Sequence, residues 1–256
     1  MGYNNSEGAT LRLSETVQRE QIFASETPAV SEAPDALESL MRARYSCRAF
    51  LQDEVPQHLI ERMLEIAQLS PSWCNTQPWQ VEITSGAATE RLRQALRAHL
   101  EEQGHYSDPD YSMPVEYTGV HRERRRVSGW QLYDAVGIAK GDREASARQG
   151  AQNLEFFGAP HVAVVTVAKE LATYGAVDAG IYVGALMLAA RSLGIATVPQ
   201  AGLANYAPFI RQHLGIDESR NLLVTIPFGY EASEHPANSY RTERAGIDDV
   251  ARFHAH

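Results

Sequence analysis

The chain is short of cysteine. It has two cysteines, Cys47 and Cys74, in 256 residues, with no CxxC pair and no Cys/His ligand spacing. Neither a disulfide framework nor a metal site is expected, and a cytoplasmic location fits that usage. Positive charge is also scarce. The net charge is −9, which argues against nucleic acid as a partner. The one basic run, His121-Arg122-Glu123-Arg124-Arg125-Arg126, is broken by Glu123 and reads as a solvated helix face. No apolar run is expected to span a bilayer, and no charged-then-apolar leader is apparent, so no membrane partner is expected. A Gly-x-Gly-x-x-Gly turn, a phosphate loop, a Gly-x-Ser-x-Gly elbow and His-Glu-x-x-His are all missing. Their absence removes the usual signatures of dinucleotide binding, nucleotide hydrolysis and serine or zinc hydrolysis.

What is present is enough for a large core, with 44% hydrophobic and 21% charged residues. Residues 1–34 are polar and are expected to form a mobile extension, with Leu11, Leu13, Val17 and Ile22 able to make a short docking helix. Residues 35–256 are expected to be one domain. Apolar periodicity predicts helices over 36–44, from Pro56 to Ser70, and over 89–103, 116–138, 142–157, 177–193 and 205–214. Strands are expected at 80–84, 162–167, 195–198 and 222–228. The helix at 177–193 is apolar nearly all round and is expected to be buried. Asp178 falls near its start, where a capping or first-turn role is expected over a catalytic one. Helices and strands mix without a regular βαβ beat, which predicts a three-layer α+β domain. Residues 100–130 could be a lid or substrate-pocket insertion, with Tyr106, Tyr111, Tyr117 and Trp130 as candidate stacking residues.

Two segments carry the candidate chemistry. In Arg44-Tyr45-Ser46-Cys47-Arg48 an extended backbone would point Arg44, Ser46 and Arg48 the same way. Two guanidinium forks and a hydroxyl on one side suit a phosphate. In Ser70-Pro71-Ser72-Trp73-Cys74-Asn75-Thr76-Gln77-Pro78-Trp79 short polar side chains sit between two prolines, which a core would not require. The two cysteines, one in each segment, flank the candidate site and are expected to be small buried fillers.

The chain resembles the FMN-dependent nitroreductase family over about residues 35–250. Four stretches carry the resemblance: Arg44-x-Ser46-x-Arg48-x-Phe50, Pro71-Ser72-x-x-Asn75-x-Gln77-Pro78-Trp79, Gly194 to Gly202, and Asn238-x-Tyr240-Arg241-x-x-Arg244. The resemblance implies a central, mainly antiparallel sheet with helices on both sides, in an intertwined homodimer with FMN at the subunit interface. It implies that Arg44, Tyr45, Ser46 and Arg48 meet the FMN phosphate and ribityl chain, and that Arg241 and Arg244 close on the same phosphate. Pro71, Ser72, Trp73, Asn75 and Gln77 would line the flavin ring from the partner subunit. Pro199, Gln200, Ala201 and Gly202 would pass the flavin N5 edge, with the Ala201 backbone nearest. Either Asn153 or Gln152 would read the flavin pyrimidine.

The implied activity is hydride transfer from NAD(P)H through flavin N5 to a nitroaromatic, quinone or similar acceptor, in a ping-pong cycle with no side-chain acid or base. The same scaffold could instead serve reductive dehalogenation, dehydrogenation or oxidation. A non-catalytic flavin store is the remaining alternative, with Trp73 as the residue that would block the ring.

Overall fold

The computed structural model describes residues 33–254. Most of the expected N-terminal extension, with Leu11, Leu13, Val17 and Ile22, lies outside the described residues. The chain divides into two compact units, residues 1–42 and 43–256. Of the first, the described part is helix α1, Ala33–Ala43, whose first turn carries Asp35 and whose last turn carries Arg42, the arrangement that a helix dipole favours.

The second unit is built on one four-stranded sheet: β1 (Trp79–Ser85), β2 (His161–Ala168), β3 (Ala196–Thr197) and β4 (Arg220–Gly229), in the order β1-β2-β4-β3. Every pairing among these strands is antiparallel, with a register shift between Val165 and Thr166. The apolar run in β2 explains its place at the centre. Val162 and Val164 face one core, and Ala163, Val165 and Val167 face another, so both faces of the strand are covered. The first core is closed by α3 (Ala87–Gln103) and α7 (Ala207–Leu214), through Leu92, Leu96, Leu100 and Ile210. The second is closed by α2 (Gln57–Ala67) and α6 (Ala172–Ser192), through Ile60, Met63, Tyr182 and Leu186. This is the three-layer α+β arrangement that the periodicity predicts. Two further helices, α4 (Gly119–Ala135) and α5 (Arg143–Ala151), bury no residue fully.

Three elements depart from expectation. The helix expected over 142–157 ends at Ala151, because Phe156 and Phe157 both take φ of 52° and turn their rings into the first core. Asn153 therefore sits in a turn and not on a helix. The expected all-round burial of α6 is also wrong: Tyr174, Val177 and Ile181 are exposed on one face. Close packing on the other face depends on Gly175, where a Cβ would meet Val167 Cγ1 at 2.8 Å. Finally, Lys169–Ser192 is long and apolar enough to cross a bilayer by length and composition, contrary to the sequence reading. Its inner face packs on the sheet and α2, which accounts for that apolarity as core-forming.

Candidate functional site

The segment expected to hold a phosphate follows α1 and runs along the sheet edge. Ser46 bridges Thr197 of β3 in parallel, and the Cys47 N–H donates to the Thr197 carbonyl at 3.0 Å. Cys47 and Ala49 are buried while Ser46 and Arg48 stay partly exposed, the alternation that an extended backbone gives. Burial pushes the Cys47 thiol from its ordinary 9.0 up to about 11, so it is a neutral packing group. Cys74, by contrast, is exposed, and the expectation that both cysteines are buried fails there.

The far end of the chain returns to this segment through one buried amide. Asn238 accepts the Arg48 N–H at 2.8 Å and donates to the carbonyls of Ala49 and Ala232, both at 2.9 Å. Arg48 donates to the Ser46 carbonyl and, at 3.0 Å, to the Tyr240 hydroxyl. The Arg241 guanidinium lies 3.5 Å from the centroid of the Tyr45 ring and donates to the carbonyls of Asn238 and Tyr240. The Tyr45 hydroxyl donates to Glu231 at 2.8 Å, and burial with that bond raises its pKa above the ordinary range. Glu231 also pairs with Arg191 near the end of α6.

Arg44 and Arg244, far apart in sequence, lie near enough for one charge to act on the other. Burial, and then the Arg244 charge, hold the Arg44 guanidinium below its ordinary value. Among the described residues Arg44, Arg241 and Arg244 have no carboxylate within ion-pair distance. Gathering cations without a counter-ion is unfavourable unless an anion joins them. Arg244 also lines a cavity of about 1160 Å³ between α4 and residues 242–250, with Tyr117 and Gln131 on its opposite wall. Of the other candidate stacking residues, Tyr106 and Tyr111 lie elsewhere: Tyr106 bonds His99 and packs on the first core. Trp130 packs edge-to-face on Tyr133.

From β3 the chain passes directly into Pro199, Gln200, Ala201 and Gly202. Gln200 is buried; its N–H donates to Thr225, and its side-chain Nε2 donates to the Asn153 carbonyl at 3.0 Å. Its Oε1 is buried with no hydrogen-bond partner. Ala201 and Gly202 are exposed on the turn that follows. Asn153 is thus joined to this turn, whereas the Gln152 side chain makes no recorded contact with it.

The Pro71–Trp79 loop occupies a different place. Trp73–Asn75 forms a single 3-10 turn, and Cys74, Asn75 and Gln77 take φ of 52°, 56° and 46°, which is strained for residues with side chains. The Ser72 hydroxyl accepts the Gln77 N–H, and Gln68 links Gln77 to the indole N–H of Trp79. Both oxygens of buried Asp178 accept the Trp73 N–H, at 3.1 and 3.2 Å. Asp178 is in the second turn of α6 and caps nothing, contrary to expectation. Trp79 stacks on Tyr182 in the core. Among the described residues, no hydrogen bond or aromatic contact joins this loop to the cradle or to the Pro199–Gly202 turn.

The extended segment carrying Arg44, Ser46 and Arg48 thus lies at the sheet edge beside the strand that runs into the Pro199–Gly202 turn, on a three-layer antiparallel α+β fold. The model of the nitroreductase family matches residues 41–230, most of the chain, and the protein belongs to that family. It is 42% identical to nitroreductase NfnB of Mycolicibacterium smegmatis, over 85% of this chain and 92% of that protein. It is 32% identical to a 4-nitrobenzoate reductase of Pseudomonas putida, over 86% and 96% of the two chains. The crystal structure of FMN-dependent NfnB from Mycobacterium smegmatis in complex with NADPH matches with a TM-score of 0.81, at 41% identity over 87% of this chain and 99% of that one. Arg241 and Arg244 lie beyond the stretch matched by the family model.

Residues important to the arrangement but absent from the sequence reading are Glu231 and Arg191, with Asp178 given a different role. Both lie just outside the motifs, and their pairing joins segments 40 residues apart. Asn238 stood inside a motif, and its burial as a three-bond hub is what the spacing alone did not reveal.

Proposed function

We propose that the protein is an FMN-dependent nitroreductase, active as a homodimer, that uses NAD(P)H to reduce a nitroaromatic, quinone or similar acceptor. The observation that carries this reading is the half-buried Arg44, which feels the Arg244 charge and has no carboxylate at ion-pair distance, on the extended segment that also carries Ser46 and Arg48. It fits a phosphate monoester, which offers several oxygens and about two negative charges. The buried, partnerless Gln200 Oε1 fits the N–H edge of a flavin pyrimidine, with Asn153 beside it. Bound FMN would supply the redox chemistry, taking hydride at N5 from NAD(P)H and returning two electrons to the acceptor.

The chain's own residues then have distinct tasks. Arg44, Ser46, Arg48 and Arg244 hold the phosphate; Tyr45 supports Arg241 over the same end. The Pro199–Gly202 turn offers backbone N–H groups beside the redox edge. No side-chain acid or base is required of it. Residues 114–131 face Arg244 across the cavity, which supports a role for the 100–130 region in closing over the ligand.

Two observations support the dimer. Asp178 and Arg191 are roughly 20 Å apart along α6, at 1.5 Å per residue, so one chain keeps the Trp73 loop remote from its own cradle. Around Asp178, Tyr174, Val177 and Ile181 form an exposed apolar stripe at helical spacing, suited to a second copy. A two-fold partner would bring its loop to this chain's flavin ring. The test is direct. Purified protein should carry about one FMN per chain, bleach anaerobically with NADPH, and recover its colour with 4-nitrobenzoate in a ping-pong pattern. Failure to take up FMN would sink the reading. Flavin that binds but is never bleached would favour storage.

A further inference from the structure

Asp178 is a buried carboxylate without an ion-pair partner among the described residues, and its one recorded task is to hold a backbone N–H. That N–H belongs to Trp73, the bulkiest residue of the strained loop, which is 62% exposed. The exposed indole is not loose. Its centroid lies 4.8 Å from that of Tyr174, edge-to-face, and Tyr174 is on the same helix as Asp178. One turn of α6 thus grips Trp73 twice, by its backbone and by its ring. The neighbouring residues Cys74, Asn75 and Gln77 are all held in the left-handed region, so the loop is kept in a conformation it would otherwise leave.

Such an arrangement is costly for mere connection. Burying a carboxylate against a single N–H donor is unfavourable, and a turn between α2 and β1 could be made without it. The two contacts fix the direction in which a large aromatic plate projects from the loop. We propose that Asp178 is a positioning residue that sets the Trp73 indole as the wall limiting the breadth of the acceptor. The proposal rests on the reading that this loop lines a flavin site. It extends that reading by naming what selects among nitroaromatics: narrow rings substituted only opposite the nitro group pass the wall, and rings broadened at both meta positions meet it.

The experiment compares the holoprotein with Trp73→Ala, Asp178→Ala and Asp178→Asn. For each, FMN content is measured first, then kcat and KM for 4-nitrobenzoate and for a 2,6-disubstituted 4-nitrobenzoate, whose added groups are both meta to the nitro group. Trp73→Ala and Asp178→Ala should both keep FMN and shift the ratio of KM values toward the broad substrate by about 3- to 10-fold, the worth of one aromatic contact. Asp178→Asn keeps an oxygen for the Trp73 N–H and should restore the original ratio. An unchanged ratio in Trp73→Ala overturns the wall. An altered ratio in Trp73→Ala with an unaltered one in Asp178→Ala overturns the positioning role. If Asp178→Ala does not fold, Asp178→Asn and Asp178→Ser decide, since serine shortens the acceptor: equal ratios in the two overturn the proposal. Wild-type protein without flavin would instead remove the reading on which the wall depends.

Discussion

The two ends of α6 hold their neighbouring segments in opposite ways. At the Arg191 end, the cradle is assembled from residues far apart in sequence: Tyr45 with Glu231, Arg48 with Asn238 and Tyr240, Arg44 beside Arg244. Its backbone is extended and unstrained, and its cost lies in gathered charge. At the Asp178 end, the loop is almost local, bonded to Gln68 and to itself, and its cost lies in backbone strain at Cys74, Asn75 and Gln77. Charge is a cost that a ligand can remove, because an anion converts repulsion into attraction. Strain is retained whether or not a ligand is present. The difference separates a region built to grip from a region built to keep a shape.

The largest effect should come from removing the grip. Arg44→Ala with Arg48→Ala deletes two charge-assisted donors, each worth about 1.5–3 kcal/mol, so FMN affinity should fall by roughly 100-fold or more. The fold should persist, because relieving like-charge repulsion offsets part of the lost packing. Flavin retained after dialysis, measured by absorbance, would show that the phosphate is held elsewhere. No such loss is expected from any single change in the Trp73 loop.

Asn238→Ala should have a smaller effect, on a different property. The amide satisfies the Arg48 N–H and the carbonyls of Ala49 and Ala232, and alanine leaves all three without it. Stability should drop by about 2–4 kcal/mol, read as a fall in denaturation midpoint. Added FMN should recover part of the loss by mass action, since the cradle is then held from the ligand side. A variant as stable as the parent would mean that the C-terminal segment does not brace the cradle.

Much of this was legible from the sequence, and the reason is local geometry. The apolar run of β2 and the stripe of α3 are written in consecutive residues, as is the outward pairing of Ser46 and Arg48. The meeting of Arg44 with Arg244 was implied only by the family resemblance, because no short-range rule connects residues so far apart. The shortened helix after Asp142 was missed because Phe156 and Phe157 accept a left-handed backbone to bury their rings, a tertiary effect that overrides propensity. The role of Asp178 was misread for a similar reason. A carboxylate early in a helix suggests a favourable dipole contact, and the bond to Trp73 depends on a loop about a hundred residues earlier.

The smallest effect should also have the opposite sign. Cys74 is exposed, makes no recorded side-chain hydrogen bond and has φ of 52°, so Cys74→Gly removes strain and little else. A side chain in that region costs about 1–2 kcal/mol, and the extra freedom of glycine in the unfolded chain returns about 0.5–1 kcal/mol of it. Stability should therefore rise by roughly 0.5–1 kcal/mol, seen as a slightly higher Tm. If the strain serves to hold the loop's shape, the same variant should turn over more slowly, with its FMN content unchanged. Every cradle variant loses stability or flavin; this one should gain stability and lose rate. A variant that is more stable and as fast as the parent would mean that the strained turn is only a connection, and the contrast between the two ends of α6 would reduce to the cradle alone.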